Sequence, residues 1–366
     1  MKVLQIGMGN NPGGVEAFVM NYYRQLSLKG IRFDFVSMYG EIAFHQEILS
    51  LGGQVFLVPN VKKDYFGYVK AMKEILAEGR YDVVHVNMLS AANILPLRLA
   101  KEAGVGKVIA HSHNASAPGM LRRILDQWNR PKISRYADVL AACGEKAGRW
   151  LFGDQAYEQG QVVLLSNAID VDRFLFSEEK RKAARAKLGR LTDGFVIGHV
   201  GRFQLQKNHE RILEIFRQIQ EKEPDVRLLL VGEGELLPKI REKAREYQLE
   251  KQIVFAGVRS DVEDCLCAMD VFLFPSLFEG LPFTLVEAQA NGLPCVISDR
   301  ITREVVLDEE RVCCLSLENS DTAWAAKVLS YKGCGREEPQ ITKKRLVAAH
   351  FDIHNEADRL LKLYNR

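Results

Sequence analysis

The chain has 366 residues, 47% of them hydrophobic and 27% charged, with a formal net charge of +3 at neutral pH. This describes a folded soluble protein and excludes a disordered one, and the length suits two domains of ordinary size better than a single core. So slight an excess of positive charge gives no electrostatic footprint for nucleic acid, which is not an expected partner.

The seven cysteines show no paired metal-ligand spacing. Cys265-Leu-Cys267 and the adjacent Cys313-Cys314 are poor zinc geometry and read as ordinary buried thiols, which suits a reducing cytosol. The first residues, Met1-Lys-Val-Leu-Gln-Ile-Gly, enter a strand directly, and no apolar run approaches the length that spans a bilayer. A cytoplasmic protein is expected, attached at most to the inner face of the cell membrane.

Short apolar runs alternate with helix-length amphipathic stretches from end to end. In the first half the expected strands are Val3–Ile6, Phe33–Val36, Val55–Val58, Val83–Val86, Val108–Ala110, Val139–Ala142 and Val162–Leu165. In the second they are Phe195–Val200, Arg227–Val231, Ile253–Ala256, Val271–Phe274 and Pro294–Ile297. Such alternation predicts α/β architecture with two doubly wound parallel sheets. The strongly charged Ser177–Gly189 stretch reads as a solvated linker with a short helix, so the expected domains are 1–175 and 176–346, followed by a helical tail, 347–366.

Chemistry-bearing residues recur where strands end, which is where open parallel sheets bind ligands. Gly7-Met-Gly-Asn-Asn-Pro-Gly-Gly14 joins the first strand to the first helix, and its glycines let backbone amides approach a phosphate. Gly7-x-Gly9-x-x-x-Gly13 is also a relaxed dinucleotide fingerprint, with Asp34 as the plausible ribose acid. Val108-Ile-Ala-His-Ser-His-Asn114 ends a strand in two histidines. Met120 to Arg135 mixes basic, aliphatic and aromatic residues, a pattern shared by amphipathic core helices and by helices that lie on anionic membranes. Gly201-Arg-Phe-Gln-Leu-Gln-Lys-Asn-His209 offers Arg202 and Lys207 to a diphosphate.

The densest signal is Phe274-Pro-Ser-Leu-Phe-Glu-Gly-Leu-Pro-Phe-Thr-Leu-Val-Glu-Ala-Gln-Ala-Asn-Gly-Leu-Pro294. A strand closes at Pro275, Glu279 and Gly280 lie on a loop, and Pro282 suits the first turn of a helix running to about Ala290. The positive end of that helix, at Gly280 to Phe283, suits a phosphate, and Glu279 and Glu287 are placed to accept sugar hydroxyls on either side of it.

This stretch resembles the C-terminal signature of the retaining glycosyltransferases of family 4, among them enzymes that build bacterial capsules and exopolysaccharides. Gly201-Arg202…Lys207-Asn208, Gly13-Gly14, Leu230-Val-Gly-Glu-Gly-Glu-Leu236, Val254 to Val262 and Leu165-Ser-Asn-Ala-Ile-Asp…Phe174 extend the likeness. The last of these departs from the family's Pro-Asn-Gly pattern at Ser166 and Ala168.

The resemblance implies the GT-B fold, two Rossmann-like domains facing a central cleft, with the tail returning to the first. It implies a nucleoside diphosphate sugar donor, a UDP-sugar favoured, and a sugar or lipid-linked glycan acceptor bound by the first domain. The donor residues implied are Gly13, Gly14, Arg202, Lys207, Arg259, Glu279, Gly280, Leu281, Pro282, Phe283 and Glu287. The catalytic set implied is His113, with His111 as the alternative, together with Arg202, Lys207 and Glu279. Cationic side chains and backbone amides stand where other phosphate enzymes use a metal, so neither a metal nor another cofactor is expected. Two other classes compete: an NAD(P)-dependent oxidoreductase, which leaves the second half unexplained, and a non-catalytic nucleotide-sugar binding protein.

Overall fold

The computed structural model describes residues 1–114, 119–189, 191 and 194–365. The chain forms two units, Met1–Ala168 with Asp352–Arg366, and Ile169–Phe351. In the first unit the strands are β1 (Lys2–Ile6), β2 (Arg32–Ser37), β3 (Val55–Leu57), β4 (Val83–Met88), β5 (Lys107–Ser112), β6 (Val139–Ala142) and β7 (Val162–Leu164). They form one sheet in the order β3-β2-β1-β4-β5-β6-β7 with every pair parallel. The second unit holds β8 (Val196–Val200), β9 (Arg227–Val231), β10 (Ile253–Gly257), β11 (Val271–Phe274), β12 (Cys295–Ser298) and β13 (Val312–Leu315). Its order is β10-β9-β8-β11-β12-β13, again all parallel. Both units are therefore Rossmann-like.

Strands covered by helices on both faces need side chains that tolerate burial on both, which is why the sequence shows continuous apolar runs. All of β4, β8, β11 and β12 is buried. In the first unit the Gly14–Ser27 helix inserts Phe18, Tyr22, Tyr23 and Leu26 against the sheet at helical spacing. The closing helix, Ile353–Asn365, buries Ile353, Ala357, Leu360 and Tyr364 on one face. The strand order reverses between β1 and β4 in one sheet and between β8 and β11 in the other. Open parallel sheets bind ligands beyond such a reversal, and there the first unit carries the loop after β1 and the second carries the loops after β8 and β11.

Four expectations change. The first boundary moves from 175/176 to 168/169, because Ile169, Val171 and Phe174 belong to the core of the second unit. The second moves from 346/347 to 351/352, because Leu346 and Phe351 pack in that same core. The charged Ser177–Gly189 stretch holds the expected helix, Glu178–Leu188, but it packs through buried Ala184 and Arg185 and is not a solvated linker. Finally, Val312-Cys-Cys-Leu315 forms the edge strand β13; with a neighbour on one side only, Cys313 and Cys314 are half-exposed, whereas Cys265 and Cys267 are buried as expected.

Candidate active site

In the second unit three loops meet beyond the strand ends of the central β9, β8 and β11. The β8 loop begins at Gly201, and Gly232 at the end of β9 lies so close that a Cβ on it would stand 2.2 Å from the Gly201 carbonyl oxygen. Gly232 has φ of +134°, which only glycine adopts at little cost. The β8 and β11 loops are tied by the Leu277 N–H donating to the Gln206 carbonyl at 2.9 Å and by Asn208 Nδ2 donating to the Pro275 carbonyl at 3.0 Å. Lys207 and Glu279 are thereby brought together: Lys207 Nζ lies 2.7 Å from Glu279 Oε1, and both side chains are largely buried. Gln206 Nε2 donates to the other carboxylate oxygen at 3.0 Å. Lys207 Nζ also sits 4.7 Å from the centre of the Phe274 ring.

The adjacent helix is Phe283–Ala290, with Pro282 as its N-cap residue instead of lying in its first turn. Pro282 offers no side chain to cap the helix; the Leu285 N–H bonds to the Pro282 carbonyl, while those of Phe283 and Thr284 find no partner among the described residues. Nothing lies within 4 Å of the place a Cβ would take on Gly280. The Thr284 hydroxyl oxygen is buried without a partner among the described residues. Arg202 is exposed and has no ion-pair partner among them.

Glu287 lies one turn into the helix. Burial, opposed by nearby Arg173 and reinforced by the negative charge of Glu263, pushes its carboxyl up to about 7. Arg173 is itself held by Glu263 through a fork of 2.8 and 2.9 Å. Arg259, at the end of β10, forks onto Asp261 at 2.7 and 2.5 Å, and Lys187 reaches the same carboxylate.

In the first unit, Gly13 is the N-cap residue of the Gly14–Ser27 helix, and Gly14 faces open space. Glu16 folds back so that its Oε1 accepts from the Gly9 N–H at 2.7 Å. His111 is the next-to-last residue of β5 and is fully buried, with Nδ1 3.1 Å from His85 Nε2. His113 follows the strand, half-buried, with its ring centre 4.0 Å from that of His111 and its Nε2 2.9 Å from Asn87 Oδ1. Burial, with His85 beside it, pushes His113 down to about 3, so the ring is neutral at ordinary pH.

The family model described as Glycosyltransferase Family 4 matches residues 12–173, and that described as Glycosyl transferases group 1 matches residues 180–345. The putative glycosyltransferase EpsF of Bacillus subtilis is 35% identical over all of this chain and 96% of its own length. The chain belongs to glycosyltransferase family 4. An Escherichia coli relative, UDP-Gal:alpha-D-GlcNAc-diphosphoundecaprenol alpha-1,3-galactosyltransferase, is 28% identical over 67% of this glycosyltransferase and 66% of itself. Among solved structures, Anabaena HepE in complex with UDP superposes with a TM-score of 0.78 at 17% identity, covering all of both chains, and so shares the GT-B fold.

The glycine loop of this glycosyltransferase is built differently from a dinucleotide fingerprint. Gly7, with φ of +113°, is needed because a Cβ there would meet the Asn87 carbonyl oxygen at 2.2 Å. Asp34 is wholly buried, and its oxygens are taken by Lys2, Arg32, the Gln54 N–H and the Tyr81 hydroxyl. No ribose is served by it. Gln206, Thr284, Arg173 and Glu16 were not singled out in the sequence. Gln206 lies inside a quoted loop and Glu16 in the first turn of the helix that follows one, but a single amide or acid there carries no pattern of its own. Arg173 meets Glu263 across 90 positions, and nothing short of the fold reveals that pairing.

Proposed function

We propose that this glycosyltransferase moves a sugar from a nucleoside diphosphate sugar, a UDP-sugar favoured, to an acceptor hydroxyl with retention at the anomeric carbon. The observation that carries the reading is the grouping, at one sheet reversal, of an exposed Arg202, the Lys207–Glu279 pair and a helix start without a side-chain cap beside Gly280. The barrier to the reaction is separation of an oxocarbenium-like sugar from a diphosphate. Arg202 and Lys207, with the amides from Gly280 through Leu281 to Phe283, supply positive charge where that leaving group develops. Because Lys207 starts out bonded to Glu279, phosphate binding would draw Lys207 away and leave the carboxylate to accept a sugar hydroxyl. Glu287 would accept from the ribose, Arg259 would lie near the base, and the Gly13 and Gly14 amides would serve the phosphate from their own unit. The leaving phosphate oxygen would take the proton of the acceptor. No metal is assigned a role.

UDP in the HepE complex and the UDP-sugar in the name of the E. coli relative support the donor class, and the diphosphoundecaprenol in that same name supports a lipid-linked glycan acceptor of the kind that surface polysaccharide synthesis would use. The Met120–Tyr136 helix favours a lipid-linked acceptor presented at a membrane: Met120, Ile124 and Trp128 are 81%, 55% and 71% exposed, beside exposed Arg122 and Arg123. Among the described residues no helix is long and apolar enough to cross a membrane.

The test is thermal stabilisation across UDP-, GDP- and ADP-sugars, NAD and NADP, with and without EDTA. A ligand of the native state raises its melting temperature by mass action. Selective stabilisation by one sugar nucleotide, unchanged by EDTA and followed by transfer or slow hydrolysis of that donor, is expected. Stabilisation by NAD or NADP alone would overturn the reading, and donor binding with neither transfer nor hydrolysis would reduce the protein to a binding module.

A further inference from the structure

A buried chain of polar side chains runs from the closing helix to the two histidines of β5. Its direction is fixed by one backbone group. Asn87 Nδ2 lies 3.3 Å from the Ile6 carbonyl oxygen, which only accepts, so the nitrogen of that amide must face Ile6. The same nitrogen donates to Gln5 Oε1 at 3.0 Å. Asn87 Oδ1 is then the atom facing His113 Nε2 at 2.9 Å, and Nε2 has to donate.

The remaining bonds follow in order. Gln5, with its oxygen on Asn87, donates through Nε2 to the Tyr364 hydroxyl at 3.3 Å. That hydroxyl is bonded to His85 Nδ1 at 2.9 Å, and His85 Nε2 is bonded to His111 Nδ1 at 3.1 Å. The Nδ1 of His111 is thus taken inside the network, and its Nε2 is buried without a partner among the described residues. His113 differs. Its Nδ1 bonds to no described residue and is left outside the network.

We propose that Asn87 is a positioning residue for sugar transfer: it holds His113 in the Nε2–H tautomer and so presents the Nδ1 lone pair to a hydroxyl of the bound sugar. The proposal rests on the transferase reading above. It also selects His113 over His111, since a fully buried His111 whose Nδ1 is taken by His85 offers a sugar nothing to bond. Gly7 belongs to the device, because any side chain there would press on Asn87.

Correlation spectra of histidine-labelled protein separate protonated from unprotonated ring nitrogens, and the His113 signals are assigned by their loss in His113→Gln. Wild-type protein is expected to carry the His113 proton on Nε2, and Asn87→Ala to release a mixture of tautomers. With donor and acceptor supplied, Asn87→Ala is expected to lose about tenfold in kcat, the loss of one well-placed hydrogen bond, with a smaller change in donor KM. Asn87→Asp keeps an acceptor on Nε2–H and rescues kcat at high pH, but its carboxylate favours the imidazolium. The acid limb of the pH profile should then rise by about one pH unit or more. The other titratable groups around His113 are His111, His85 and Tyr364, with Glu16 on the facing helix held by the Gly9 N–H.

A purely structural Asn87 would lower stability without moving that limb, and this result would overturn the proposal. So would a wild-type His113 protonated on Nδ1, a measurement that needs no variant to fold. Failure of every nucleotide sugar to react would overturn the transferase reading and the role with it. The spectra would still report the tautomer, so the two failures look different.

Discussion

Glu287 holds a carboxyl in a poorly hydrated position, and its pH behaviour follows from that. Its folded value is about 7 against an ordinary 4.5, so between the two the folded chain keeps a proton that the unfolded chain has lost. Stability therefore falls as pH rises through that window, because the unfolded state binds fewer protons there. Glu287→Gln removes the dependence: it should melt higher than wild type at about pH 8, with the gap closing below the ordinary carboxyl value. Nucleotide binding should move the other way, strengthening in wild type as Glu287 ionises and staying flat in the variant. Melting curves and calorimetric titrations across pH check both, and identical melting at high pH would show an ordinary carboxyl. Lys207→Ala leaves the largely buried Glu279 without its cation and should lower kcat/KM by about two orders of magnitude, the scale set by loss of one preorganised electrostatic partner. Sequence motifs pointed to both Lys207 and Glu279, each with a ligand-directed role. Their mutual pairing across 72 positions depends on β8 and β11 being neighbours, which no local pattern encodes.

Elements were legible where burial on both faces forces a continuous apolar run, as in β9, β11 and β6, whose expected and observed limits coincide. Edge strand β13 was missed because Val312-Cys-Cys-Leu315 is short and needs burial on one side only. The Glu178–Leu188 helix is the helix expected there, but its packing is not legible in the sequence. Its charges looked solvated, yet Arg181 and Arg185 reach Asp270 at 2.6 and 2.7 Å, and Asp270 also accepts from the Val196 N–H at 2.7 Å. One carboxylate thus joins that helix to the starts of β8 and β11. Asp270→Ala would strand a buried guanidinium, so it should destabilise the second unit by about 3 kcal/mol. Asp270→Asn, which keeps an acceptor, should cost less. Denaturant titration measures both. Equal losses would mean that the charge contributes nothing beyond the hydrogen bonds.

At the scale of the whole molecule, the chain's last residues belong to its first unit. Tyr364 is buried, bonded to Gln5 and His85, and the carbonyls of Leu363 and Tyr364 accept from Lys107 Nζ at 2.9 and 3.1 Å. Leu360, Ala357 and Ile353 complete the apolar face of the closing helix. Helical spacing made that helix readable, but its destination came only from the family resemblance, since an apolar stripe does not say which surface will cover it. Removing residues 352–366 would expose that surface and leave the Gln5–Asn87 and His85–His111 bonds without the hydroxyl that polarises them. Hydrogen exchange should therefore accelerate in β1, β2, β4 and the Gly14–Ser27 helix, while the β8–β13 sheet keeps its protection, since local stability follows local packing. Sugar nucleotide should still protect the Gly201–Lys207 and Gly280–Ala290 segments of the truncated chain, although sugar transfer is lost with the ordering of His113. Acceleration spread evenly over both units would instead mean that the closing helix stabilises the molecule as one cooperative body, and that the division into two units does not describe how it unfolds.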